Sequence, residues 1–593
     1  MLGSDHLERA AMCTNCEVVS AAAGALGETP AASPVGRAGA PDGPGGVTVL
    51  RGGAVYTLDP HRPLAQAIAV RGRDIIAVGS DDEVAAAAGP DPQIIELAGR
   101  MVLPGFVEGH IHPLLGGFMT SGVDLQVPTK DAALSAIADY ARTNPSGPVR
   151  GFGWRVDMFG PEGPHRAELD AIIPDRPAFF FAIDAHSLWV NSTTLEVAGI
   201  DRDSPDPQPG FSFYTRDASG EPTGFVLEAA AMLPMIHAVE PMTKDLLARL
   251  LTDWLPHAAA AGITSLFDAG MPPVGDDPAG LASIYTDLEA QGRLPFRVVV
   301  SHLTKGPPID DVVAQTQRLT AALDTELVRG GVLKILGDGT VEGHTACLLQ
   351  PYSDKPDETG QLPFSEEEWH RLVGTADAAG LDVHVHAIGD RTVRIALDAF
   401  EAAIRANPGR DRRHTIAHLQ IVDDADQARF GELGIFAQFS ANWLSADPGT
   451  VDTAIRLCGI ERQRKSFRPK SILDRGGTVT FGTDWPAAGW FSTHRPLDSI
   501  QVAITRQLVG AAEAPILDPP DERLDLAQAL YANTLGAARQ LRLDGMVGSL
   551  EAGKRADLVV LQQNIFEVSP HDIAATPIDM TMMDGRVTYG ARP

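Results

Sequence analysis

Six residues of the 593-residue chain carry polar side chains toward the ends of short apolar runs, and five of them, four His and one Asp, are of types that bind divalent metals. His110 and His112 close the apolar run FVEGHIH. Alternate residues of a strand point the same way, so both imidazoles can serve one metal. Lys334 lies in VLKILGDG, His386 in LDVHVHAIGD, His418 in HTIAHLQ and Asp484 in TVTFGTDWP. Imidazole and carboxylate donors suit zinc or a similar divalent first-row metal. A lone His in an apolar strand is ordinarily a hydrogen-bonded core residue. Packing alone does not call for four imidazoles and a carboxylate at corresponding points of different strands.

These residues need a scaffold that brings distant strand ends together. Eight short apolar runs ending in polar residues read as its strands: FVEGHIH, GITSLFDAG, FRVVVSHL, VLKILGDG, LDVHVHAIGD, HTIAHLQ, IFAQFSANW and TVTFGTDWP. Between the fifth and sixth, Val393, Leu397, Phe400 and Ile404 recur at helical spacing over Asp390 to Asn407. The expected fold is an α/β (β/α)8 TIM barrel spanning 104–545, with chemistry at the C-terminal ends of its strands. The stretch between the first and second strands is far too long for a βα loop, so a subdomain is expected at about 120–258, overhanging the site. Residues 47–103 and 546–593 hold β-like runs with Gly turns, such as VTVLRGGAVYTL and ADLVVLQQN. Neither end has enough strands for its own core, so the two are expected to combine in one small β-sandwich. Residues 1–46, rich in Ala, Gly and Pro, read as a flexible tail.

A net charge of −29 and a pI near 4.9 oppose binding to nucleic acid or anionic membranes, which draw on clustered Lys and Arg. Four cysteines are too few and scattered for a disulfide framework, and a reducing cytoplasm is expected. Cys13 and Cys16 have the spacing of half a zinc site, with no second pair to complete it. No stretch has the composition of a signal peptide or a membrane-spanning helix. A symmetric homodimer is the default expectation for oligomeric state.

The ordered motifs LPGFVEGHIHP, VLKILGDG, HVHAIGDR, RHTIAHLQ, FGTDWP and GKRADLVVL resemble those of the amidohydrolase superfamily, in particular its YtcJ-like, family 3 branch. The resemblance runs from about Val47 to the C-terminus and includes GPHRAELDAIIPDRPAFFFAIDAHSLWVNSTTLEVAGI in the insert. It implies that His110, His112 and Asp484 bind one metal, that His386 and His418 bind a second, and that Lys334 bridges the two as a carbamate. Two zinc ions per chain are expected, with a single metal as the alternative if Lys334 instead pairs with Asp338. Two departures are visible: Ala417 stands where the family commonly has Glu, and Glu108 where Asp often precedes the His pair.

The expected activity is hydrolysis of a C–N bond in a small molecule, an amide, N-acyl, N-formyl or carbamoyl group. A metal-activated hydroxide attacks, with Asp484 as general base. The resemblance implies a catalytic His from the insert, assigned to His186. Trp154, Asp184, Asn191 and Asp338 are candidates for substrate binding, with core packing the alternative for Trp154. His344 reads as a loop residue and His384 as core or as support for the ligands. Heterocycle deamination is a competing reading, lowered because Ala387, Ile388 and Gly389 follow His386 in place of a nearby acid. Ester or lactone hydrolysis needs the same groups. A non-catalytic scaffold is disfavoured because all six ligand positions are present.

Overall fold

A computed structural model describes residues 46–160, 162–271, 277, 279–487 and 489–590. The Cys13–Cys16 pair and, Gly46 apart, the expected tail lie outside the described residues. Eight parallel strands follow one another in sequence order around the barrel. They are Phe106–Ile111, Ile263–Met271, Arg297–Thr304, Val328–Leu336, Asp382–Ala387, Thr415–His418, Phe436–Ser440 and Thr478–Gly482. Each of the eight apolar runs supplies one of them. The seam between first and eighth is closed by two backbone bonds, Asp484 N to His110 O at 2.9 Å and His112 N to Trp485 O at 3.0 Å. Gly482 permits this approach, since a Cβ there would lie 2.3 Å from His110 N.

The expected helix forms at Asp390–Ala406, with Val393, Leu397 and Phe400 buried against the barrel. Between the first two barrel strands, a separate six-stranded sheet runs from Val123–Asp124 to Pro222–Leu227, with Phe213–Arg216 at one edge. Its Phe-rich strand Ala178–Ala182 alternates between two cores. Phe179 and Phe181 pack toward the barrel side, and Phe180 packs with Trp154 and Trp189. Among the described residues no helix is long and apolar enough to cross a membrane.

Strands from both chain ends share one sheet of eight, joined where Met101–Pro104 pairs antiparallel with Leu558–Leu561. Alternation divides its faces: Leu558 and Val560 close a core with Leu50, Ile68 and Val102, while Val559 and Leu561 join the barrel core. A buried ion network ties this sheet to the barrel. Arg297, at the start of the third barrel strand, bonds Asp557 and reaches Asp584 at 2.6 Å, with all three buried. Removing one partner of such a network strands charge in a dry interior. Arg297→Ala is therefore expected to destabilise by about 3–5 kcal/mol, read as a lowered midpoint in urea denaturation. An unchanged midpoint would mean the network contributes nothing to stability.

Candidate metal centre

At the C-terminal mouth of the barrel, Lys334 Nζ lies 3.4 Å from His110 Nε2. Asp484 Oδ1 lies 3.4 Å from His110 Nε2 and 3.2 Å from His112 Nε2. Asp484 Oδ2 is 3.5 Å from His418 Nδ1. Ligating atoms of His110, His418 and Asp484 all fall within 4.8 Å of one another. The His386 ring lies against His418, centroids 4.4 Å apart, with its Nε2 3.4 Å from Gly339 O. Five of the six candidates thus share close polar contacts, and His386 joins them through its ring.

Local sequence explains the placement. His112 ends its strand and precedes the helix Pro113–Met119, where Pro at the first position is pre-set for helix. Gly270 makes room for its imidazole, because a Cβ would lie 2.9 Å from Nδ1. Asp484 and His418 hold φ of +60° and +75°, a region costly for residues with a Cβ. Ala185, Glu228 and His344 are likewise positive. Strained backbone clusters at functional sites, where the fold over-determines it.

Burial disfavours charge on these rings, and cationic neighbours add to it, so His110, His384, His386 and His418 are held well below the ordinary imidazole value. Neutral imidazoles are the form that binds metal. Burial also lowers the Lys334 amine to about 7, against the opposing pull of Asp484. The fit to a metal is clearest at His418, whose Nε2 is buried with no hydrogen-bond partner among the described residues. A buried ring nitrogen without a partner is costly unless it has a ligand. His110 Nδ1 lies 2.9 Å from His384 Nε2, which orients the ring and leaves Nε2 for a metal. Glu108, buried and raised to about 8, accepts from the Thr483 N–H at 2.7 Å and hydroxyl at 2.9 Å, bracing the strand end that carries Asp484.

A model described as the amidohydrolase family matches residues 93–589. The chain belongs to the amidohydrolase family. Among its relatives, Protein LONG AFTER FAR-RED 3 of Arabidopsis thaliana is 30% identical over 549 residues, 91% of each chain. The N-substituted formamide deformylase of Arthrobacter pascens is 29% identical over 90% of this chain and 97% of its own. An uncharacterized metal-dependent hydrolase from Pyrococcus furiosus matches in structure with TM-score 0.64 and 25% identity, over 87% of this chain and 99% of that one.

Within this amidohydrolase, the insert delivers His186 to the site, its ring 5.2 Å from that of His386. Its Nδ1 meets Glu228 Oε2 at 2.8 Å, and Glu228 Oε1 accepts from the Thr345 hydroxyl at 2.9 Å. A cavity of about 90 Å³ adjoins the site, walled in part by Trp154, Asp184, Thr340, Ile388, Gln420 and Trp443. Trp443 stacks on His418 at 5.4 Å. Arg155, Asp157, Glu342 and Thr453 line both this cavity and an outer one of about 610 Å³. Trp154 is chiefly a core residue of the insert, fully buried, its indole N–H donating to Phe180 O at 2.8 Å.

Two expected substrate contacts have other work. Asn191 is fully buried, caps the helix Ser192–Ala198, and spends its amide on Ala178 N, Thr194 N, Ile173 O and Arg176 O. Asp338, also fully buried, accepts from the N–H groups of Cys347, Ile388 and Gly389 and from the Thr392 hydroxyl. Burial raises it to about 7 in spite of those bonds. Among the described residues no ion pair joins it to Lys334. His344 reaches Asp354 at 3.0 Å, as a loop residue would. Glu228, Glu342 and Lys305 escaped the sequence reading, although Glu228 and Lys305 directly follow the strands Pro222–Leu227 and Arg297–Thr304, a signal that could have found them; burial lowers Lys305 to about 8, against Glu228.

Burial opposes charge on His186, yet Glu228 and then Asp184 outweigh it and raise the ring from 6.5 to about 9. The folded value lies above the ordinary one, so this pair contributes stability in full below about pH 6.5, and it is lost as pH rises through about 9. In metal-free protein the His186 resonance is expected to titrate near pH 9 by NMR, and at least one unit lower in Glu228→Gln. A midpoint unmoved by the substitution would exclude Glu228 as the cause.

Proposed function

We propose that this protein is a metal-dependent hydrolase of C–N bonds in small molecules, acting on N-formyl or other N-acyl amines. The observation that carries the reading is the convergence of His110, His112, Lys334, His418 and Asp484 on one point at the barrel mouth, beside His386 and an inner cavity of about 90 Å³ that shares walls with an outer one of about 610 Å³. Its likeness to an N-substituted formamide deformylase supports the choice of bond. His110, His112 and Asp484 would hold one divalent metal, His386 and His418 a second, and Lys334 as a carbamate would bridge them. An amine lowered to about 7 is largely neutral at slightly alkaline pH, the form that adds carbon dioxide. Zinc suits this donor set.

When bound, the metal supplies Lewis acidity and acidifies water. Asp484 takes the proton of the attacking water on a carboxylate oxygen and returns it to the leaving nitrogen. His186, with Nδ1 engaged by Glu228, has Nε2–H free to donate to the carbonyl oxygen as negative charge builds there. Trp443 and Ile388 wall the inner cavity beside this centre.

Elemental mass spectrometry of protein prepared without chelator is expected to find two metals per chain, falling to one or none in Lys334→Ala. A single metal unaffected by that substitution would sink the bridging carbamate. Asp484→Asn is expected to lower kcat on an N-substituted formamide by roughly 10²–10⁴-fold. Activity within a few-fold of wild type would remove Asp484 as the base.

A further inference from the structure

The inner cavity has an unbalanced wall. Asp184 and Glu342 both line it, and among the described residues no Lys or Arg forms an ion pair with either. The cations nearby are committed elsewhere. Arg155 bonds Asp157 at 3.0 Å with its guanidinium over the Trp490 ring, and His186 is held by Glu228 at 2.8 Å. A second, independent feature faces the same space. Gln420, two residues beyond His418, is only 4% exposed, lines the cavity, and its side-chain amide has no hydrogen-bond partner among the described residues. Asp184 and Glu342 share only the imidazolium of His186, itself bonded to Glu228, so the wall keeps an excess of carboxylate beside an amide that forms no hydrogen bond, and a ligand with matching groups can satisfy both.

We infer that the amine half of the substrate bears a second, positively charged nitrogen, an ammonium or amidinium. It is bound in the inner cavity by Glu342 and Asp184, with Gln420 as its neutral hydrogen-bond partner. The inference rests on the proposed C–N hydrolysis and names the substrate class for that site. The acyl carbon sits among the proposed ligands and the chain beyond its nitrogen runs past Asp184 and Glu342. Any substituent beyond the charged nitrogen enters the outer cavity, where Phe159, Phe213, Phe225 and Trp490 accept apolar groups. A volume of about 610 Å³ suits a small organic molecule. Burial, and then the charges of Asp184 and Asp447, raise Glu342 to about 7, which a bound cation would reverse.

The test has two arms, both on the metal-loaded full chain at pH 8. Calorimetry compares benzamidinium with its neutral isostere benzamide. Benzamidinium is expected to bind at least tenfold more tightly in wild type, and Glu342→Gln and Asp184→Asn each to reduce that preference to threefold or less. Metal content and circular dichroism verify that each variant is folded and loaded. Equal binding of the two probes by wild type, or a preference that survives both substitutions, would overturn the inference. The second arm needs no variant. The N-formyl derivative of 4-(aminomethyl)benzylamine is expected to exceed that of 4-methylbenzylamine at least tenfold in kcat/KM, and equal or reversed values would also overturn it. If neither formamide is hydrolysed while benzamidinium still binds through Glu342, the cation site stands and the formyl reading fails.

Discussion

The mouth of this barrel depends on how its first and last strands meet. The backbone bonds that close the seam, Asp484 N to His110 O and His112 N to Trp485 O, involve three residues, His110, His112 and Asp484, whose side chains meet at the proposed metal site. Closing the barrel and assembling the site are therefore one event. Glu108 strengthens the coupling by reaching from the first strand to Thr483, next to Asp484. Small residues matter here for the same reason, since Gly482 is what lets the two strands come close enough to bond.

Four residues in or beside the site hold a conformation that a polypeptide adopts reluctantly. Asp484, His418, Glu228 and Ala185 all hold positive φ without being glycine. Each lies in or beside the site, and packing and hydrogen bonds hold them there. Such local cost persists where the surrounding structure leaves no alternative, and it fixes donors before any ligand arrives. The insert contributes to the same economy of motion, because Glu228 anchors His186 through one oxygen and the barrel loop through the other, at Thr345.

Much of the barrel was legible in the sequence because its strands are short apolar runs closed by polar residues, a pattern set by chain geometry alone. The six candidate ligands were visible for the same reason, as each sits where such a run ends. The supporting residues were not, since their meaning comes from partners far along the chain. Glu228 is informative only beside His186, and Glu342 only as the wall of a cavity. Asn191 and Asp338 spend their side chains on backbone groups, which the sequence does not reveal, because a polar residue near a site looks alike in sequence whether it greets a substrate or caps a helix. Only the count of backbone groups that each already satisfies separates the two. His384 lay between readings, and its contact with His110 makes it a support for a candidate ligand.

The sheet built from both chain ends has a consequence for the order of events during synthesis. Arg297 is made with most of the barrel still to come, yet its carboxylate partners, Asp557 and Asp584, lie close to the end of the described chain. Until they emerge from the ribosome the guanidinium has no counter-charge and the strand Met101–Pro104 has an open edge where Leu558–Leu561 will pair. An exposed edge of this kind invites pairing with other chains. The last strands thus act as a clasp, and the barrel they fasten stays open at this edge until nearly all of the described chain has been made.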